Sequence, residues 1–233
     1  MLKLYYARPS VYARPVWLAL LEKQLPFELI PVDLGGQQFE PDFLTLNPFG
    51  HIPVLVDGGF RVIESLAILD YLDAQYPSPS LLPKSAKTLA QVRMVQLVAL
   101  NELLPGVVQL LIHGEPSGKP SQALDYARLK ATNALSFLET SLGDGPYFAG
   151  DRLTQAEIVA GTLVGRMPDL GIDLAPYPQL NRWSERLLAR PSWQAIELSA
   201  DEWRDFRRRF RIAPRIWQRR RRQRMVALSS VAL

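Results

Sequence analysis

The chain changes character at Pro77-Ser78-Pro79-Ser80-Leu81-Leu82-Pro83. Each proline fixes φ and lacks a backbone donor, so neither a helix nor a central strand runs through this stretch. It reads as a stiff linker spanning residues 78–87. Before it, short β-type runs alternate with helical patterns. After it, strand signals vanish. The fold must therefore join an α/β unit, residues 1–77, to an all-helical unit, residues 88–205, with residues 206–233 left as a basic extension. A length of 233 residues with 48% apolar content supports two modest cores.

In the first unit, Leu2–Tyr6 is an apolar run suited to a buried strand, and Ala13–Lys23 carries an apolar stripe of Val16, Trp17, Leu20 and Leu21. Phe27–Val32 reads as a second strand and Pro41–Leu46 as a short helix. Asp57-Gly58-Gly59 between Val54–Val56 and Phe60–Ile63 is a strong hairpin signal. Ser65 is placed to cap a helix that continues to about Tyr76. The predicted order is β-α-β-α-β-β-α. The second unit carries helical patterns over Thr88–His113, bent near Pro105, then Ser121–Leu142, Thr154–Met167, Tyr177–Arg190 and Ser192–Glu197.

Composition excludes several chemistries. The chain has no cysteine, which removes disulfides, thiolate metal sites and a cysteine nucleophile. His51 and His113 are the only histidines, so no metal centre is expected. The N-terminus lacks a signal-peptide pattern, and no run of about 18 apolar residues stands out; a soluble, cytoplasmic protein without a membrane span is expected. Ten arginines and no acid fall in residues 206–233, against a net charge of +4, so the rest of the chain carries −6.

The chemistry concentrates in Asn47-Pro48-Phe49-Gly50-His51-Ile52-Pro53-Val54-Leu55 and in Ile63-Glu64-Ser65. A turn, a proline-led strand and a helix start bring backbone groups, a carboxylate and a positive helix end together, equipment for a small charged peptide. These stretches resemble the glutathione-site signatures of cytosolic glutathione transferases. Phe148-Ala149-Gly150-Asp151-x-Leu153-Thr154-x-Ala156-Glu157 resembles that family's second-domain signature, and Ser10-Val11-Tyr12-Ala13-Arg14-Pro15-Val16 its serine-type catalytic turn. The resemblance covers roughly residues 1–200 and points to a theta/phi/tau-like or bacterial class. It implies a thioredoxin-like N-terminal domain followed by an all-α bundle.

The resemblance also assigns roles. Pro53 is expected to be cis, turning the Ile52 amide and carbonyl toward an extended ligand. Ser65 and the helix start would hold the γ-glutamyl carboxylate, and Glu64 its ammonium. His51 and Gln38 would meet the glycyl end. Ser10 would activate the thiol, with Arg14 adding positive potential; Tyr5 and Tyr6 are rivals for that role. A free thiol has a pKa of about 8.5, and lowering it by about two units needs roughly 2.7 kcal/mol of preferential thiolate binding. Tyr12, Met94, Val108, Leu111 and Met167 are candidates for an apolar second-substrate site between the domains.

The implied enzyme is a glutathione S-transferase that adds the glutathione thiolate to hydrophobic electrophiles, with peroxidase activity as a further option. Glutathione is the co-substrate, no metal is needed, and a homodimer is implied. The missing cysteine disfavours mixed-disulfide branches and the isomerase branch with a Ser-Ser-Cys turn. The alternative is a non-catalytic module on the same fold whose basic tail contacts nucleic acid or another polyanion.

Overall fold

The structure, a computed structural model, describes residues 1–114 and 121–211. Pro214 and the run Arg219–Arg222 of the basic extension lie outside those residues. The first unit follows the predicted order: β1 (Leu2–Tyr6), α1 (Ala13–Glu22), β2 (Phe27–Pro31), a 3₁₀ turn Gln37–Phe39, α2 (Pro41–Leu46), β3 (Val54–Asp57), β4 (Phe60–Ile63) and α3 (Ser65–Gln75). The sheet order is β2-β1-β3-β4, with β1 and β2 parallel and the other two pairings antiparallel. The Gly58-Gly59 turn has positive φ at both glycines, the geometry a tight hairpin requires.

The bundle comprises α4 (Ala86–Val98), α5 (Leu104–His113), α6 (Gln122–Leu142), α7 (Gln155–Val164), α8 (Pro178–Leu188), α9 (Pro191–Ile196) and α10, residues 200–211. A π-helical turn, Ala99–Leu103, joins α4 to α5 just before Pro105. Proline offers no N–H to the preceding turn, so the expected bend takes this wider form. The continuous Ala86–His113 stretch is long and apolar enough to cross a membrane by length and composition, contrary to the expectation from sequence. Half of its apolar window is buried within the protein, as in a core helix.

The two units share one apolar core, in which α1 packs against α7 and α9 of the bundle and α3 packs against α1. Polar contacts tie α1 to α3 and the linker, and the two units to each other. Lys23, whose side chain is fully buried, reaches Asp73 at 3.0 Å and the Pro79 carbonyl at 2.6 Å. Gln155 donates to the Leu69 carbonyl at 3.0 Å. Arg190 meets Glu22 through two nitrogens, at 3.0 and 2.6 Å. At the start of α7 a capping box forms. Thr154 accepts from the Ala156 N–H, and fully buried Glu157 reaches back to the Thr154 N–H at 2.7 Å.

At the hairpin, Asp57 accepts from Tyr71 at 2.8 Å and Tyr76 at 2.6 Å. The Tyr76 hydroxyl is the main reason the Asp57 carboxyl sits below its ordinary range; Tyr71 adds to it and partial burial opposes it. A depressed folded-state pKa contributes stability above the unfolded value of about 3.9 and loses it as pH falls through the folded value. Tyr76→Phe is therefore expected to cost about 1 kcal/mol near neutrality, shrinking in acid. Urea titrations on both sides of that range measure the difference; an equal loss at both pH values would show that the carboxylate charge is not involved.

Candidate active site

The sheet register places the singled-out segments at one end. Tyr5 pairs with Val54, and Val54 pairs with Ile63. The end of β1, the start of β3 and the end of β4 thus lie in one row. Three adjacent strands span about 10 Å, the width of a short extended peptide. From that row emerge the turn with Ser10, the segment His51-Ile52-Pro53 and the Glu64-Ser65 helix start. Because β2 runs parallel to β1, the loop bearing Gln38 leaves from the same end.

Asn47, buried to 1% exposure, builds the approach to β3. Its side chain donates to the His51 carbonyl at 2.8 Å and accepts from Phe49 N–H at 3.0 Å. Gly50 has φ of 65°, and a Cβ there would lie 2.9 Å from the Gln38 carbonyl and the Phe39 ring. Only glycine fits that conformation and contact. Asn47 and Gly50 belonged to the sequence motif without assigned roles; here they clamp the two loops together. The Ile52–Pro53 bond is cis. Ile52 precedes the ladder, and among the described residues neither its N–H nor its C=O has a turn or loop partner. Both remain available for strand-like pairing with a ligand.

Glu64, not Ser65, is the residue that caps α3. It holds a positive φ of 68° without being glycine, a strained conformation of the kind that accumulates at functional sites. Ser65 is the first helical residue, 8% exposed, and its hydroxyl has no partner among the described residues. The first backbone bond of this helix runs from Ile68 N–H to the Glu64 carbonyl. The amides of Ser65, Leu66 and Ala67 are therefore left for an anion. Tyr12 is half-exposed, and its hydroxyl is held above its ordinary pKa by burial first and by the Glu64 charge second. The Glu64 charge thus reaches the residue two positions beyond Ser10, consistent with the register that places both segments at one sheet end.

Ser10 accepts from the Ala13 N–H at 3.2 Å, and its carbonyl accepts from the Arg14 N–H at 3.0 Å. Its hydroxyl proton stays free to point elsewhere. Tyr5 and Tyr6 pack their rings against Phe43 and Trp17, at 6.3 and 5.2 Å between centroids. Gln38 is buried, donates to the Leu34 carbonyl at 3.0 Å and leaves its Oε1 unpaired. His51 is exposed beside Phe49.

Arg14 is 6% exposed, and its guanidinium is pulled down to about 10, by burial first and then by Arg166 and Arg8, with Glu197 opposing. Of the apolar candidates, Leu111 and Met167 are 1% and 0% exposed and belong to the packed core. Met94 is 52% exposed on the outside of α4, and Val108 is half-buried on α5. The residues that sequence reasoning missed are Arg8, Arg166 and Glu197, which surround Arg14; only their charge marked them beforehand.

Comparison with known proteins decides the family. Residues 4–80 match the glutathione S-transferase N-terminal domain, and residues 86–191 match the glutathione S-transferase C-terminal domain. The chain belongs to the glutathione S-transferase family. Relatives include glutathione S-transferase 3 of Zea mays, 36% identical over 83% of this chain and 91% of its own length. Another is the maleylacetoacetate isomerase of Rattus norvegicus, 34% identical over 81% of this chain and 88% of its own length. A glutathione S-transferase of Methylobacterium radiotolerans, solved with glutathione sulfonate, superposes with a TM-score of 0.72 at 33% identity, covering 84% and 93% of the two chains. In this transferase-family chain, Val11 follows Ser10 directly, so its turn carries no cysteine.

Proposed function

We propose that this protein is a catalytically active, cytoplasmic glutathione transferase. It binds glutathione along the row Ser10, Ile52, Pro53, Glu64 and Ser65, with Gln38 and His51 toward the glycyl end, and adds the thiolate to hydrophobic electrophiles. The supporting observation is the set of groups at one sheet end that have no partner among the described residues: the Ile52 amide and carbonyl, the Ser65 hydroxyl and the first amides of α3. They complement a peptide backbone and a carboxylate.

In the reaction, Ser10 donates to the sulfur near the N-terminus of α1, and buried Arg14 adds positive potential in the next turn. Sulfur forms the new bond to the electrophilic carbon and the leaving group departs with the bonding pair. Tyr12 and Val108 supply apolar surface for the second substrate. A peroxide would instead be attacked at oxygen, and glutathione disulfide would follow from a second thiol. Conjugation of chlorodinitrobenzene in the presence of glutathione tests the reading: a turnover clearly above the uncatalysed rate is expected, and none despite glutathione binding would contradict it.

Two further properties belong to this reading. A homodimer is supported by an exposed apolar face on α4 and α6, where Val98, Tyr126, Leu129 and Phe137 line a groove of about 390 Å³, and by Phe60, 60% exposed on the hairpin. The second reading, a module that binds a polyanion, is favoured by the ten arginines without an acid in residues 206–233. Salt-dependent heparin binding without conjugation would support it.

A further inference from the structure

The buried Arg14 guanidinium has no hydrogen bond among the described residues. Its Nε is sealed from solvent and unpartnered, and its nearest carboxylate oxygen, on Glu197, lies 3.9 Å from Nη2. A guanidinium carries five donors, and leaving them unmatched inside a protein is costly. Arg8 and Arg166 crowd the same place, yet each holds a carboxylate elsewhere: Arg8 pairs with Glu202 at 3.0 Å and Arg166 with Asp169 at 3.0 Å.

All three arginines converge on Glu197. Arg8 donates to its carbonyl at 2.7 Å, Arg166 pairs with Oε1, and Arg14 faces Oε2. Glu197 closes α9, and its side chain is 42% exposed. It is therefore a solvent-reachable carboxylate set against a cluster of three arginines. Two rings flank the cluster, with Trp17 5.5 Å from Arg8 and Trp203 5.2 Å from Arg166. It lies beside the Ser10 turn, because Arg8 and Arg14 flank that residue in α1 and its approach.

We infer that Arg8, Arg14 and Arg166 form a seat for the carboxylate of the second substrate, with Glu197 as the internal stand-in that the substrate displaces. The preferred electrophile then carries an anionic carboxylate on an apolar, preferably aromatic, body. This rests on the transferase reading above. The carboxylate takes no part in bond making: sulfur bonds the carbon bearing the halogen, and halide leaves with the electron pair.

Two measurements on the full chain test it. Benzoate binding to glutathione-free protein is measured by calorimetry for wild type, Arg166→Gln and Glu197→Gln. Removing one charged donor is expected to weaken binding about tenfold, and removing the competing carboxylate to strengthen it by a similar factor. The gain in Glu197→Gln cannot come from damaged folding. The second measurement is the ratio of kcat/KM for a chloronitrobenzoate to that for its methyl ester. It is expected to fall in Arg166→Gln and rise in Glu197→Gln. Absent benzoate binding in wild type, or an acid-to-ester ratio equal in all three proteins, overturns the seat. Benzoate binding that shifts as expected, with neither compound conjugated, upholds the seat and counts against the transferase reading instead.

Discussion

Ser10→Ala is expected to lower kcat/KM for glutathione conjugation by about 100-fold near neutral pH, the usual loss when one donor to a developing or bound anion is removed. The geometry supports a specific role. The Ser10 oxygen accepts from Ala13 N–H at 3.2 Å, which fixes the side chain and leaves its proton to donate. The same substitution removes a helix-capping contact, worth about 1 kcal/mol of stability. The two effects separate by pH. Lost capping depends little on the state of the thiol, whereas lost activation disappears once the medium itself ionises glutathione, above about pH 9. A deficit that persists unchanged at high pH would reassign Ser10 to a structural role. Tyr6→Phe is the companion measurement, since Tyr5 and Tyr6 already use their rings for packing.

The second large effect concerns folding. Glu157→Ala is expected to destabilise the protein by about 4 kcal/mol. Glu157 is fully buried and accepts from Phe148 N–H, Thr154 N–H and the Thr154 hydroxyl, each at 2.7 Å. Truncation strands those donors in the core and opens a cavity, and each unsatisfied donor costs about 1–3 kcal/mol. Glu157→Gln, which keeps an acceptor oxygen, is expected to recover part of the loss. Denaturant unfolding of both variants measures it; a loss below about 1 kcal/mol for alanine would show that the loop before α7 relaxes to reach solvent.

Much of the fold was legible because its punctuation is local. Asp57-Gly58-Gly59 specifies a hairpin, Thr154 and Glu157 specify a helix start, and the prolines of residues 77–83 divide the chain. The candidate row at the sheet end was legible for a similar reason: the turn, the cis-proline strand and the helix start each lie in a short motif. The proposed second-substrate wall was not. Met94, Leu111 and Met167 share helical apolar spacing, but spacing reports which residues lie on a face and not whether that face meets core or solvent. The result is 52%, 1% and 0% exposure for three residues that look alike in sequence. The arginine cluster was illegible because its members come from the turn after β1, from α1, from the residues after α7 and from the close of α9, and only tertiary packing gathers them. The helical cap at Glu64 was misplaced by one residue because serine is the stronger capping type, yet the chain turns with positive φ at the glutamate.

The most direct test of the central claim, that this chain holds glutathione with its thiol ionised, is the ultraviolet thiolate absorbance of the bound peptide titrated against pH. For wild type the bound thiol is expected to titrate about two pH units below the free value of about 8.5, and Ser10→Ala is expected to return it most of the way. A bound thiol that titrates at its free value in wild type would contradict the account.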